Sequence, residues 1–168
     1  MPFCNIEQLE IIPLTDMLHL KKYNGEYEKA LAGYQDPYVY QNSEGIFNEE
    51  KKPDLNYVKG MCNYLNGVGE LYFIEILENG EYVSIGDVTV KPENPPIAIW
   101  FAKYRGKGIG TLVMQAVIKR LRELGYQKIT GSMVYKWNQH SLKLHQKLGF
   151  HIVDETEKEY ILELELRV

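Results

Sequence analysis

Gly106, Gly108 and Gly110 sit between two runs of opposite character, and the turn they make constrains the sequence on either side. The run before them, Ile97-Ala98-Ile99-Trp100-Phe101-Ala102, is short, apolar and rich in β-branched and aromatic residues, which predicts a buried strand. In the run after them, Ile109, Leu112, Val113, Ala116, Val117, Leu121 and Leu124 recur at helical spacing, with Lys119, Arg122 and Glu123 on the far side and Gly125 placed to cap the end. A glycine-rich turn that opens a helix points several unpaired backbone N–H groups at one spot, with the positive end of the helix dipole behind them. Glycine also lets the main chain come close to a bulky anion. The turn has the makings of a phosphate cradle.

Spacing narrows the kind of cradle. No Walker loop exists, because no pair of glycines four residues apart is followed by Lys and Ser or Thr. A dinucleotide fingerprint would need glycine at Thr111 and an acid at the end of the next strand, and Lys128–Tyr135 carries none. What stands here is Arg-x-x-Gly-x-Gly, made by Arg105, Gly108 and Gly110. A second segment runs from Asn138 through Ser141, Leu144, His145 and Lys147 to Gly149-Phe150; Asn138 is a good N-cap and Gly149 a good terminator, so a helix of about three turns is predicted between them.

Together the two segments resemble the acyl-CoA-binding motif and the following helix of the GNAT superfamily of N-acetyltransferases, over roughly residues 84–152. The resemblance implies an α/β chain with the GNAT fold, a mixed and largely antiparallel sheet with helices on both faces, as a single domain over residues 1–168. It implies acetyl-CoA as cosubstrate, with no metal. Backbone amides of Arg105, Gly106, Lys107, Gly108, Ile109, Gly110 and Thr111 would hold the pyrophosphate. Trp100, Phe101 and Ala102 would line the pantetheine and polarise the thioester carbonyl, and Asn138, Ser141 and Lys147 would complete the cofactor contacts. Where the family usually has a tyrosine that protonates the leaving thiolate, this chain has His145, with Tyr135 as the fallback. A histidine can supply a proton near neutrality. An amine attacks only as the neutral base, so a proton acceptor is also needed. Asp87, in an otherwise apolar strand, is the first candidate and Glu75 the second.

Charge distribution bears on the partners. Net charge is −4 over 168 residues, yet residues 1–56 hold five Lys and Arg against ten Asp and Glu, while residues 99–151 hold ten against Glu123 alone. A basic half around the cradle fits a polyanionic cofactor. Nucleic acid is a poor partner, since the basic residues are not interleaved with aromatics as a stacking platform would be. The acidic first third is rich in tyrosine, among them Tyr23, Tyr27, Tyr34, Tyr38, Tyr40, Tyr57 and Tyr64, beside Glu26, Glu28, Asp36 and Glu44. Aromatic faces with carboxylates suit a small cationic amine, a polyamine or an aminoglycoside-like compound, although most tyrosines of this kind simply pack. A peptide N-terminus or lysine side chain is the alternative acceptor. A sensor that binds acyl-CoA without turnover and a nucleotide-binding module are readings from other classes. No apolar run reaches membrane-spanning length, and Cys4 and Cys62 are too few for a disulfide framework, which predicts a cytoplasmic, reduced protein with no membrane partner and with a homodimer open.

The remaining elements follow from local signals. A strand over Leu9–Ile12 and a helix opening at Pro13–Asp16 are expected, then a helix over Leu55–Leu65. Asn79-Gly80 between two β-rich runs predicts a hairpin. Two strands close the chain over residues 150–156 and 159–167.

Overall fold

The computed structural model describes residues 6–167. Cys4 lies outside them. The chain opens with a short hairpin, β1 (Ile11–Pro13) against β2 (Leu18–Lys22), instead of the expected strand and helix. Leu14 and Thr15 both donate their N–H to Leu18 O, and the Thr15 hydroxyl accepts from Met17 N, so these residues close a turn where an N-cap was predicted. Pro13 sits in the edge strand of the sheet, where its missing N–H costs no ladder bond.

Three helices follow: α1 (Leu31–Tyr34), α2 (Pro37–Glu44) and α3 (Leu55–Val68). Asp36 caps α2 by accepting from Tyr38 N, and Pro37 occupies the first helical position. Asp54 caps α3 in the same manner through Tyr57 N. Strands β3 (Glu70–Glu78) and β4 (Glu81–Val90) form the predicted hairpin, with Asn79 and Gly80 both left-handed at φ 51° and 80°. Next come β5 (Ile97–Ile99), α4 (Ile109–Glu123), β6 (Lys128–Tyr135), α5 (Gln139–Lys147), β7 (His151–Glu155) and β8 (Glu159–Glu165).

The sheet is largely antiparallel, as expected, but it is divided. Strands β1-β2-β3-β4-β5 make one sheet and β6-β8-β7 another. Across the division the only β pairing among the described residues is a parallel bridge between Glu93 and Thr130. Asn94 reinforces it, donating its N–H to Thr130 O and accepting from Met133 N through Oδ1. A bulge in β4 at Ile85, opposite Ile74 and Glu75, bends the strand just where β5 begins to pair with it.

Helices cover both faces. On one, α4 packs Val113, Met114, Val117 and Leu121 against Val88 and Val90 of β4, Ile129 of β6 and Leu162 of β8. On the other, α1 to α3 cover Leu71, Phe73, Ala98 and Trp100 with Tyr34, Val39, Val58, Cys62 and Leu65. Gly33 allows the closest approach: a Cβ there would lie 2.3 Å from Trp100 Cβ. One buried ion pair ties the layers. Arg120 of α4 donates from Nε and a terminal nitrogen to the two carboxylate oxygens of Glu70, both at 2.8 Å.

Candidate active site

The two sheets diverge into a cleft of about 520 Å³ between β5 and β6, floored by the start of α4 and walled by α2 and α5. That volume lies within the range of small-molecule sites, roughly 300–1,000 Å³. Its floor is the glycine turn. Gly108 is the N-cap of α4, with φ +80° and no side chain to bond the first turn, and Gly106 has φ +71°. The N–H groups from Gly106 through Thr111 find no acceptor among the described residues. A Cβ built at Gly106 or Gly108 would meet nothing within 4 Å. Open space in front of consecutive unpaired amides at a helix N-terminus is the shape and polarity a diphosphate needs, so the residues fit the cofactor expected there.

Arg105 has another employment. Its Nε donates to Ile99 O at 3.1 Å and a terminal nitrogen to Trp100 O at 2.9 Å. The guanidinium lies 4.1 Å from the centre of the Tyr38 ring and 3.9 Å from Asp36 Oδ2. It thus ties the end of β5, the glycine turn and the start of α2 together. Lys107 does not line the cleft; Lys143 and Lys147, on the facing side of α5, do.

The wall from β5 begins earlier than expected. Trp100 is fully buried on the α1–α3 side, and its main-chain N–H is spent on Ile85 O. Trp100, Phe101 and Ala102 do not line the cleft; Ile97, Ala98 and Ile99 do. Trp100 N bonds Ile85 O and Thr89 N bonds Pro96 O, so by antiparallel alternation the Ala98 main chain pairs with Asp87. The N–H groups of Ile97 and Ile99 therefore face away from β4, into the cleft.

Helix α5 supplies the opposite wall. Asn138 caps it, accepting from Ser141 N, and reaches Asn42 O with its amide at 3.4 Å. His145 lines the cleft yet is 5% exposed. Its Nδ1 donates to Ser141 O at 2.7 Å, and Phe150 meets the ring edge-on. That bond fixes the neutral tautomer with Nε2 as an acceptor, and burial pushes its pKa down. Tyr135, at the end of β6, lines the same cleft with its phenolic oxygen beside Gly45, and burial pushes its pKa up, so it keeps its proton.

Asp87 does not line the cleft. It is 2% exposed on the α1–α3 face, where Tyr34 and Trp100 Nε1 both donate to Oδ2 at 2.7 Å. Burial raises its pKa to about 6 in spite of these bonds. Glu75 is far from free: His19 Nε2 stands 2.8 Å from its Oε1. Glu44 follows Ser43, which lines the cleft, and accepts a hydrogen bond from the Ser43 hydroxyl at 2.9 Å. Sequence reasoning placed Glu44 among the carboxylates that, with the neighbouring tyrosines, suit a cationic amine, without separating it from Glu26, Glu28 and Asp36.

Residues 36–150 match the family model described as Acetyltransferase (GNAT) family. Among curated proteins none matches the chain in sequence. Solved structures do match in shape. A domain from Methanocaldococcus jannaschii superposes with a TM-score of 0.74 at 23% identity, covering 88% of this chain and 97% of its own. The GNAT-family acetyltransferase from Bacillus anthracis gives 0.69 at 19%, covering 93% and 98%. The acetyltransferase yncA from Salmonella typhimurium, solved with its cofactor acetyl-CoA, gives 0.64 at 16%, covering 90% and 95%. At these identities the likeness is one of fold.

Proposed function

The chain belongs to the GNAT family of acetyltransferases, and on that footing we propose that it moves the acetyl group of acetyl-CoA to the primary amine of a small cationic molecule. The observation that carries the donor half is the row of unpaired amides from Gly106 to Thr111 at the head of α4. Those amides would hold the diphosphate, with Lys143 and Lys147 adding charge from α5. The cleft-facing N–H groups of Ile97 and Ile99 would hold the pantetheine arm and sit where a carbonyl oxygen gathers charge. When bound, acetyl-CoA supplies an acyl group already activated toward attack by an amine.

The chain must then manage two protons. Tyr135 is the better donor to a departing thiolate, because the residue lines the cleft and its hydroxyl retains its proton. His145 has spent its one N–H on Ser141 O, and its lowered pKa leaves Nε2 a lone pair at neutral pH. It serves better as an acceptor that orients a hydrogen-bond donor in the cleft. Asp87 sits behind Trp100 and Tyr34 rather than in front of them, which assigns it to holding the wall of the acceptor side. The ammonium of the acceptor would lose its proton to water in the open end of the cleft. For the acceptor half, support comes from Glu44, Tyr57 and Tyr135, which stand together beside the cleft that Tyr135 and Ser43 line.

The test is CoA release from acetyl-CoA against a panel of alkylamines, diamines, aminoglycosides and a peptide with a free N-terminus. Turnover of cationic small amines above the peptide is expected. Thermal protection by acetyl-CoA with no turnover of any amine would make the protein a binder; the absence of protection would remove the donor site.

A further inference from the structure

The last residue of α2, Glu44, is out of place energetically. A carboxylate at a helix C-terminus opposes the dipole. No Lys, Arg or His pairs with it among the described residues. Instead the Tyr57 hydroxyl donates to Oε1 and the Ser43 hydroxyl to Oε2, the latter at 2.9 Å. Beyond it, Tyr135 is pressed against Gly45, where a Cβ would lie 2.6 Å from the phenolic oxygen. Tyr135 stacks on Trp137 at 4.4 Å and 10°, and Trp137 in turn meets Phe47 edge-on at 5.1 Å. Tyr57, Phe47 and Trp137 are 42%, 59% and 39% exposed, so this aromatic wall around the carboxylate faces solvent.

We propose that Glu44 anchors a second, non-reacting cationic centre of the acceptor, so that the enzyme prefers amines carrying two positive charges over monoamines. This rests on the reading of the chain as an amine acetyltransferase. Two neutral hydroxyls fix the carboxylate oxygens in place, and neither brings a positive charge to meet them. A carboxylate that grips an ammonium also keeps that ammonium protonated, and a protonated nitrogen cannot attack a thioester. The nitrogen held at Glu44 is therefore not the one acetylated. The aromatic faces beside it add cation–π attraction to the same charge.

The test compares kcat/KM for 1,4-diaminobutane and for butylamine in the native enzyme and in Glu44→Gln. The native enzyme is expected to favour the diamine by tenfold or more. In Glu44→Gln that ratio is expected to fall toward one, with the loss in KM for the diamine rather than in kcat. Glu44→Asp, which retracts the charge by one methylene, is expected to give an intermediate ratio and serves in place of Gln should that variant not fold. Equal use of the two amines by the native enzyme, or a ratio unchanged in both variants, overturns the role of Glu44 and leaves the amine acetyltransferase intact. No CoA release with either amine, or with any other, overturns that activity and the anchor with it.

Discussion

The indole Nε1 of Trp100 donates a 2.7 Å hydrogen bond to Oδ2 of Asp87, a carboxylate buried at the centre of β4. Tyr34 donates to the same oxygen, and Oδ1 accepts no bond among the described residues. Cys62 lies on the same packed face, and the negative charge of Glu44 raises the carboxyl a little further.

This carboxylate makes stability depend on pH in the less common direction. Burial lifts its pKa from 3.8 to about 6, so between these values the folded state keeps a proton that the unfolded state has lost. Stability from this group therefore falls as pH rises from about 4 to about 6, by roughly 3 kcal/mol at most. Asp87→Asn keeps an acceptor for Tyr34 and Trp100 but carries no charge. Denaturant unfolding at several pH values is expected to show the variant about 1–3 kcal/mol more stable at pH 7.5, with that slope abolished. Equal pH dependence in the two proteins would contradict the account.

Gly108 is left-handed and faces the cradle; Gly125 is left-handed at φ +90° beyond the end of α4, away from it. Alanine at either site is expected to cost about 1–2 kcal/mol of stability. Only Gly108→Ala also places a methyl where the diphosphate belongs, so only it should raise the Kd for CoA, by tenfold or more. Calorimetric titration of both variants separates strain from occlusion. Matching losses of affinity would place the cradle elsewhere.

Tyr135→Phe removes the proposed proton donor. A 10²–10⁴-fold drop in kcat is the usual scale for such a group, roughly, with KM for acetyl-CoA changed little. For His145→Gln, the pH–rate profile above neutrality is expected to keep its shape, because burial disfavours the charged ring. The opposite pattern, a large loss with Gln and a small one with Phe, would return the donor role to His145.

Arg105→Lys keeps the charge and loses the fork. Lysine cannot bond both Ile99 O and Trp100 O while lying on the Tyr38 ring. The variant is expected to lose about 2–3 kcal/mol of stability and to bind CoA more weakly, since the turn is no longer fixed to β5. Thermal unfolding with and without CoA measures both. A variant that lost affinity with no change in stability would make Arg105 a direct phosphate ligand.

Local signals carried most of the fold. The Asn79-Gly80 turn, the Asn138 cap and the glycines after Ala102 each fix a backbone conformation within a few residues, and their elements stand where they were expected, whereas α3 runs past its expected end at Leu65 to Val68. Pro13-Leu14-Thr15-Asp16 misled because a threonine that caps a helix can equally close a turn, and only pairing of β2 with β3, more than fifty residues away, decides between them. The glycine turn that floors the cleft was legible for the same local reason. The chemistry above it was not: whether Trp100 or Ile99 faces the cleft depends on pairing with a bulged β4. The isolation of Asp87 depends on α1 packing onto Trp100 through Gly33. Glu44 gained its surroundings only when α3 brought Tyr57 and β6 brought Tyr135 beside it.

Among the described residues Glu93–Thr130 is the one β bridge between the two sheets, which otherwise meet through α4 packed across both. A carrier lying between Ile97–Ile99 and α5 would act as the missing rung, so saturation with it should slow amide exchange in β7 and β8, strands it never touches.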